Sequence, residues 1–254
     1  MTSQKIVPMR CFASSNLHKT RCIASLLIVV LMALGPLNAQ NMRPYIGVTV
    51  GASLPMGDLS SDATNNPNAV YANAGGMFDI SFNYPLGKGY FGLTALLRAQ
   101  AMPTDIQNLK DIFAQLQTPL RWTSASDAWI SGSLLMGGYA SYPLTRIARI
   151  EGRAMLGASY ATLPEFNISG AFFGQGVDFT RNSASNTSLA YLLGLGYRLS
   201  LGNRVDFISH LDYFSSSPTF TNITLISPAG TLPFGSPNPA ATSVNLSLGI
   251  AFKL

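Results

Sequence analysis

The sequence predicts an all-β protein, namely a closed antiparallel up-and-down transmembrane β-barrel of about eight strands with short periplasmic turns and long extracellular loops. Three observations predict this class. Eight segments alternate between apolar and small or polar side chains, the connections between them alternate in length, and charged residues make up only 11% of the chain. Soluble domains carry about 25% charged residues, so this chain is too poor in charge for a fully water-exposed surface.

The first 39 residues are predicted to be a signal peptide, and residues 40–254 to be the outer-membrane β-barrel domain. Four basic residues precede an apolar run over 23–34, which ends at Gly35-Pro36 ahead of the predicted cleavage point at Ala39. The run is shorter than the ~20 residues of a membrane-spanning helix. An uncleaved signal anchor is therefore the less favoured interpretation.

Charge and cysteine content exclude several classes of partner and site. Four of the sixteen Lys and Arg residues lie in the leader, whereas none of the eleven acidic residues do, so the remaining chain is nearly neutral. We therefore expect no nucleic-acid partner. Both cysteines, Cys11 and Cys22, also lie in the leader. The mature chain can form neither disulfides nor thiolate-bound metal sites, and its motifs predict no cofactor.

The eight predicted strands share a two-residue period. In the clearest one, Phe78 to Tyr84, Phe, Ile, Phe and Tyr occupy one face, and Asp, Ser and Asn occupy the other. No apolar run after residue 40 is long enough for a membrane helix, so a membrane-spanning chain of this kind must close into a barrel. The other seven predicted strands lie near residues 45–54, 91–100, 129–142, 148–160, 189–199, 205–214 and 244–254.

The connections are of two alternating kinds. Short turns are predicted at 85–88, 143–146 and 201–203, and long loops over 55–73, 102–127, 162–186 and 215–241. Bacterial barrels show this asymmetry, with tight turns in the periplasm and long loops outside. The long loops escape the packing constraints of the barrel, so an extracellular partner is possible there.

Two of the long loops carry features of their own. Thr104 to Gln107 fits a capping box, and the apolar residues that follow predict a short amphipathic helix that ends before Pro119. The last loop is rich in proline, which predicts a mobile surface segment. The apolar positions at helical spacing are Ile106, Leu109, Ile112, Phe113 and Leu116.

Similar short sequences end the strands that lead into the periplasmic turns, as in Tyr84-Pro85-Leu86 and Tyr142-Pro143-Leu144. The last predicted strand has Leu248, Ile250 and Phe252 on its outward face. On these features the whole mature chain resembles the small eight-stranded outer-membrane barrels of the OmpA and OmpX kind. The resemblance implies a bacterial outer-membrane location, contact with outer-membrane lipid, and insertion by the barrel-insertion machinery. The last strand resembles the C-terminal insertion signal of such proteins but ends in Leu254 instead of an aromatic residue.

If the apolar face meets lipid, the charged residues of the strands point into the lumen. An eight-stranded barrel has room only for its own side chains or a small ligand, and a buried isolated ion is so costly that opposite charges should pair. A three-residue loop at 201–203 predicts a salt bridge between Arg198 and Asp206. The predicted lumen network is a stabilising polar plug, with a gate or ion path as the alternative. Its members are Asp79, Arg98, Arg149, Glu151, Arg153, Arg198, Arg204, Asp206, His210 and Asp212.

The mature chain contains one histidine, His210, on the same strand face as Asp206 and Asp212. An Asp–His pair could act as a general base, but a mid-strand position favours a role in the lumen network, so we predict no catalytic, cofactor-binding or metal-binding residues. The preferred function is that of a non-enzymatic outer-membrane barrel with a structural, surface-interaction or small-solute passage role. The alternatives are an outer-membrane enzyme of the lipid-modifying or protease type, and a soluble periplasmic barrel that binds an apolar ligand.

Overall fold

A computed structural model describes residues 43–63, 65–87, 90–106, 123–172, 175–227, 229–233 and 235–254. The predicted signal peptide and residues 107–122, which hold most of the predicted amphipathic helix, lie outside this set. The described residues form thirteen strands: β1 (Tyr45–Met56), β2 (Gly75–Leu86), β3 (Phe91–Met102), β4 (Thr123–Ser126), β5 (Trp129–Pro143), β6 (Ala148–Leu163), β7 (Phe166–Phe172), β8 (Gln175–Arg181), β9 (Ala184–Ser200), β10 (Val205–Ser216), β11 (Thr224–Ser227), β12 (Gly230–Pro233) and β13 (Ala241–Lys253).

Eight of these strands close an antiparallel barrel in the order β1, β13, β10, β9, β6, β5, β3, β2. The ring closes where β1 pairs with β13, with Val48 opposite Ile250. The prediction of an all-β closed barrel of eight strands is therefore confirmed, and each predicted strand corresponds to one barrel strand. The described residues contain one short 3₁₀ helix, Gly57–Leu59, after β1. Within the described residues, no helix is long and apolar enough to cross a membrane.

The barrel strands extend beyond the segments that the apolar pattern predicted, and β6 and β9 do so as a pair. β6 continues to Leu163 and β9 begins at Ala184, and the two remain paired over this extension, with Tyr160 opposite Thr187. The added part of β9 is polar on both faces, with Ser185, Asn186 and Thr187 in sequence. A segment with no apolar face gives no period-two signal, although its backbone can still pair.

The long loops at the extracellular end form a second sheet, ordered β12, β11, β8, β7, β4. Its centre is the hairpin of β7 and β8, and the outer strands β12 and β4 come from two other long loops. Three loops that are far apart in sequence are thus joined by backbone hydrogen bonds. The described parts of these loops therefore form one hydrogen-bonded sheet.

Apolar side chains also tie the loops to the mouth of the barrel. Trp129 at the start of β5 packs edge to face against Phe220 of the last loop, with ring centroids 5.9 Å apart. Phe220 and Ile223 are buried, and the amide of Phe220 donates to the carbonyl of Pro237 at 3.0 Å. The prediction of a mobile last loop is wrong for this part, because the apolar residues between its prolines join the buried cluster. That cluster consists of Leu59, Val70, Ala72, Met102, Trp129, Ala161, Leu163, Phe220, Ile223 and Ala241.

Candidate functional site

The two faces of the barrel differ in polarity in the sense that the sequence predicted. Phe82, Leu97 and Leu156 are exposed on the outside by 44, 54 and 63%, and Ile250 by 42%. Asp79 and Arg98 are buried in the lumen. Each is directly next to an outward-facing residue in its own strand. An apolar belt that encircles a closed barrel needs hydrocarbon around it. The protein is an outer-membrane β-barrel, and the soluble alternative with an apolar interior is wrong.

The centre of the lumen holds a chain of alternating charges. The Arg98 guanidinium donates to both carboxylate oxygens of Asp79, through Nε at 2.8 Å and Nη2 at 2.7 Å. The same Nη2 lies 2.6 Å from Asp212, whose two carboxylate oxygens accept from Arg153 at 3.0 and 2.6 Å. All four side chains are buried. Two carboxylates and two guanidinium groups leave this central cluster neutral, as burial requires.

A second neutral cluster lies nearer the periplasmic end. Glu151 accepts a hydrogen bond from the Tyr45 hydroxyl at 3.0 Å and pairs with Arg198 at 3.2 Å. The Arg198 guanidinium lies over the Tyr45 ring, 4.6 Å from its centroid. Asp206 is bound by Lys253 at 2.7 Å, and its other oxygen lies 3.9 Å from Arg198. The sequence analysis did not select Tyr45, although it shares the inward parity of Gly47 and Thr49.

Both clusters connect opposite walls of the barrel. Arg98 lies on β3 and Asp212 on β10, and these strands are four positions apart in either direction around the ring of eight. Tyr45 on β1 and Glu151 on β6 are likewise four strands apart. Their side chains therefore span the lumen at two levels. This arrangement blocks the axis of the barrel with buried hydrogen-bonded groups.

The remaining lumen is filled by uncharged side chains. Gln100 on β3 reaches across to Ser53 on β1 at 2.9 Å and to Asn245 on β13 at 2.8 Å. Parity along β3 places Gln100 on the inward face, but nothing in the sequence indicates that its side chain crosses the lumen. A buried apolar cluster packs on the side of the lumen that runs from β3 to β10 through β5, β6 and β9, and it consists of Leu96, Leu135, Met155, Ala190, Leu192 and Phe214.

The predicted salt bridge between Arg198 and Asp206 rested on a hairpin register that differs from the observed one. Asp206 lies opposite Ser200, and Arg198 lies opposite Ile208. The turn is shifted by one residue along the chain, because Leu201 faces Val205 and its amide donates to the Val205 carbonyl, so that residues 202–204 form the connection. The two charges still share the lumen face, but at 3.9 Å their contact is loose. Lys253 is the closer partner of Asp206.

The other three residues of the predicted lumen network differ in their burial. Arg149 is half-buried near the periplasmic mouth, whereas Arg204 is exposed in the turn after β9, so its predicted position inside the lumen is wrong. A turn residue escapes the inward and outward alternation of the strands. His210 is buried against Gly196, where an added Cβ would contact its ring. Among the described residues, no group of three or more His, Cys, Asp or Glu side chains could hold a metal ion.

Solved structures to which the chain is similar include three bacterial outer-membrane proteins. Ail, the attachment invasion locus protein of Yersinia pestis, is 13% identical with a TM-score of 0.41, covering 84% of this chain and 100% of its own. The outer-membrane protein OprG of Pseudomonas aeruginosa is 12% identical, scores 0.44 and covers 86% and 99%. The outer-membrane protease OmpT of Escherichia coli is 7% identical, scores 0.35 and covers 86% and 99%.

No protein-family model matches the sequence, and no curated protein sequence matches it significantly. One of these three structural neighbours is a protease, and the TM-scores of all three lie below 0.5. No ligand or activity is therefore carried over from them. The assignment to the outer membrane rests on the strand pairing and on the two faces of this barrel.

Proposed function

We propose that the protein is a non-enzymatic outer-membrane barrel that is closed to solutes and has a structural and surface-interaction role. The observation that carries this proposal is the spanning of the lumen at two levels, by Arg98 with Asp212 and by Tyr45 with Glu151. A solute path would have to break buried ion pairs, and separating one such partner costs several kcal/mol. Small-solute passage is therefore the less favoured role.

The extracellular sheet supports the surface-interaction part of the proposal. Strand β12 is an edge strand that pairs with β11 on one side, and all four of its residues are exposed. Leu232 on β12 and Ile226 on β11 expose about half of their side-chain surface. An exposed edge offers unpaired backbone groups to another strand. A strand of another surface molecule could therefore add to this edge through backbone hydrogen bonds.

The environment of His210 gives the enzymatic alternative no support. Its side chain is buried, and its Nδ1 has no hydrogen-bond partner among the described residues. A general base must come within hydrogen-bond reach of the proton that it removes. Here Gly196 and the lumen network enclose the ring, so an incoming substrate would have to displace them.

Conductance across a planar lipid bilayer tests the closed lumen. The refolded full chain is expected to give no steady ohmic current, because buried ion pairs occupy the axis. Protease protection of the same preparation would establish insertion, and a general porin in the same bilayer would establish sensitivity. Open current through the inserted protein that rises in proportion to salt concentration would overturn the proposal in favour of solute passage.

A further inference from the structure

A polar cavity of about 500 Å³ opens at the periplasmic mouth of the barrel. It is bounded by Arg43 ahead of β1, by the turn between β5 and β6 with the start of β6, by the end of β9, the following turn and the start of β10, and by the end of β13. Asp206 is the one acidic residue that lines it in the described part of the chain. Six basic residues line the same cavity: Arg43, Arg146, Arg149, Arg198, Arg204 and Lys253.

Two of these six cations are engaged by the barrel itself. The Lys253 ammonium contacts Asp206 at 2.7 Å, the Ser200 hydroxyl at 2.7 Å and the Gly202 carbonyl at 2.9 Å. Lys253 is thus held by two hydrogen bonds and one ion pair within the barrel. Arg198 is held by Glu151 and by the Tyr45 ring. Both form the floor of the cavity.

Three arginines at the rim are not neutralised in this way. Arg43, Arg146 and Arg204 form no ion pair with any residue that the structure describes. They come from three separate segments and line one cavity, with the half-buried Arg149 on its wall. Bringing like charges together is unfavourable unless an anion lies between them.

Within the residues that the structure describes, the excess of positive charge is confined to this end of the barrel. In the described residues of the long loops and their strands, Arg181 is the one basic side chain, and its guanidinium lies over Phe166. Acidic residues predominate there, so the basic mouth is a local feature and not a property of the whole surface. They are Asp58, Asp62, Asp105, Asp127, Glu165 and Asp178.

We propose that the periplasmic mouth binds a phosphate group, supplied either by a free phosphate ester or by the headgroup of an anionic phospholipid. The arginine fork matches two phosphate oxygens at once, which makes arginine the preferred side chain for such groups. The cavity volume lies within the usual range for small-ligand sites. Leu144, Ile147 and Leu201 are exposed on the same two turns, so the mouth borders the apolar belt, where a headgroup could reach it.

Titration of the refolded full chain in uncharged detergent tests the free-ligand source. The probes are inorganic phosphate and sn-glycerol 3-phosphate, added at constant ionic strength and followed by calorimetry. The Arg146→Gln/Arg204→Gln variant should bind at least about tenfold more weakly, since each charged hydrogen bond is worth a factor of this order. The Arg146→Lys/Arg204→Lys variant should lie between the two, because it keeps the charge and loses the fork. Both changes lie in turns outside the strands, so the barrel should still form.

Vesicles test the lipid source. Spin-labelled phosphatidylglycerol in phosphatidylcholine vesicles should be enriched around the wild-type protein and not around the glutamine variant. Enrichment without binding of either free probe would support the proposal with a headgroup as the ligand. Equal behaviour of the wild-type and glutamine proteins toward all three probes would overturn it. These measurements are independent of conductance, so the failure of the phosphate site would leave the closed lumen untouched.

Discussion

Arg98 shows how one side chain holds the interior together. Its guanidinium binds Asp79 on the neighbouring strand and Asp212 on the opposite wall, and it is almost fully buried. Asp212 also binds Arg153, but Asp79 has no second cation within salt-bridge distance among the described residues. Loss of Arg98 would therefore leave Asp79 as a buried charge without a counter-ion.

Replacing Arg98 by methionine is expected to lower the free energy of unfolding by about 3–5 kcal/mol, the usual cost of an uncompensated buried charge. Urea unfolding in lipid vesicles, followed by tryptophan fluorescence, measures the change. The matched control is Arg98→Met combined with Asp79→Leu, which removes both charges and should recover much of the loss. A double variant no more stable than the single one would show that pairing with Asp79 is not the cause.

The sequence predicts which charges face inward better than it predicts their partners. Parity along a strand assigns Asp79, Arg153 and Asp212 to the lumen, because the faces of a strand alternate strictly. The pairing depends on how far long side chains reach across the lumen and on strand register. The loose contact of Arg198 with Asp206 and the crossing of Arg98 to Asp212 follow from these three-dimensional factors.

Within β5, two glycines illustrate how tightly the strands approach. A Cβ at Gly137 would overlap the backbone carbonyl of Ala154 on β6, whereas a Cβ at Gly132 would meet nothing within 4 Å. The sequence presents both as similar glycines in one strand. Only the inward Gly137 lies where the neighbouring backbone occupies the space of a side chain.

Gly137→Ala is therefore expected to destabilise the barrel, by about 1–3 kcal/mol as in other cases of overpacking, or to prevent its closure. Gly132→Ala should have little effect or a slightly stabilising one, because alanine restricts the unfolded chain more than glycine does. The fraction of heat-modifiable folded protein on a gel, together with urea unfolding, compares the two. Equal loss in both variants would indicate a general intolerance of β5 to substitution.

Elements were predictable where one face is apolar. The eight barrel strands satisfy this condition, and their positions were predicted from the period alone. The five strands of the extracellular sheet were missed, since segments such as Thr123–Ser126 and Gly230–Pro233 are short and have no consistent alternation. Their pairing depends on contacts between distant loops, which a single sequence does not reveal.

At the scale of the molecule, a hydrocarbon surround predicts a depth-dependent response to charge. Leu97 lies in the middle of β3 and Leu54 near the extracellular end of β1, and both point outward with about half of their surface exposed. Leu97→Arg should cost about 2–4 kcal/mol in a bilayer, and Leu54→Arg about 0–1 kcal/mol. Unfolding in vesicles measures both. If the two substitutions were equally harmless, the apolar belt would not lie in lipid.

The pairing of β1 with β13 has a further consequence for biogenesis. Tyr45 begins the first barrel strand and Lys253 ends the last one, yet the two residues are paired across an antiparallel ladder like those between the other strands. Before β13 pairs with β1, the open sheet has two edges with unpaired backbone groups. Any part of its apolar outer face that contacts water makes such an intermediate prone to aggregation. The closed ring can therefore form only when the first and last barrel strands are both present, so a truncation of either strand should abolish folding as a whole.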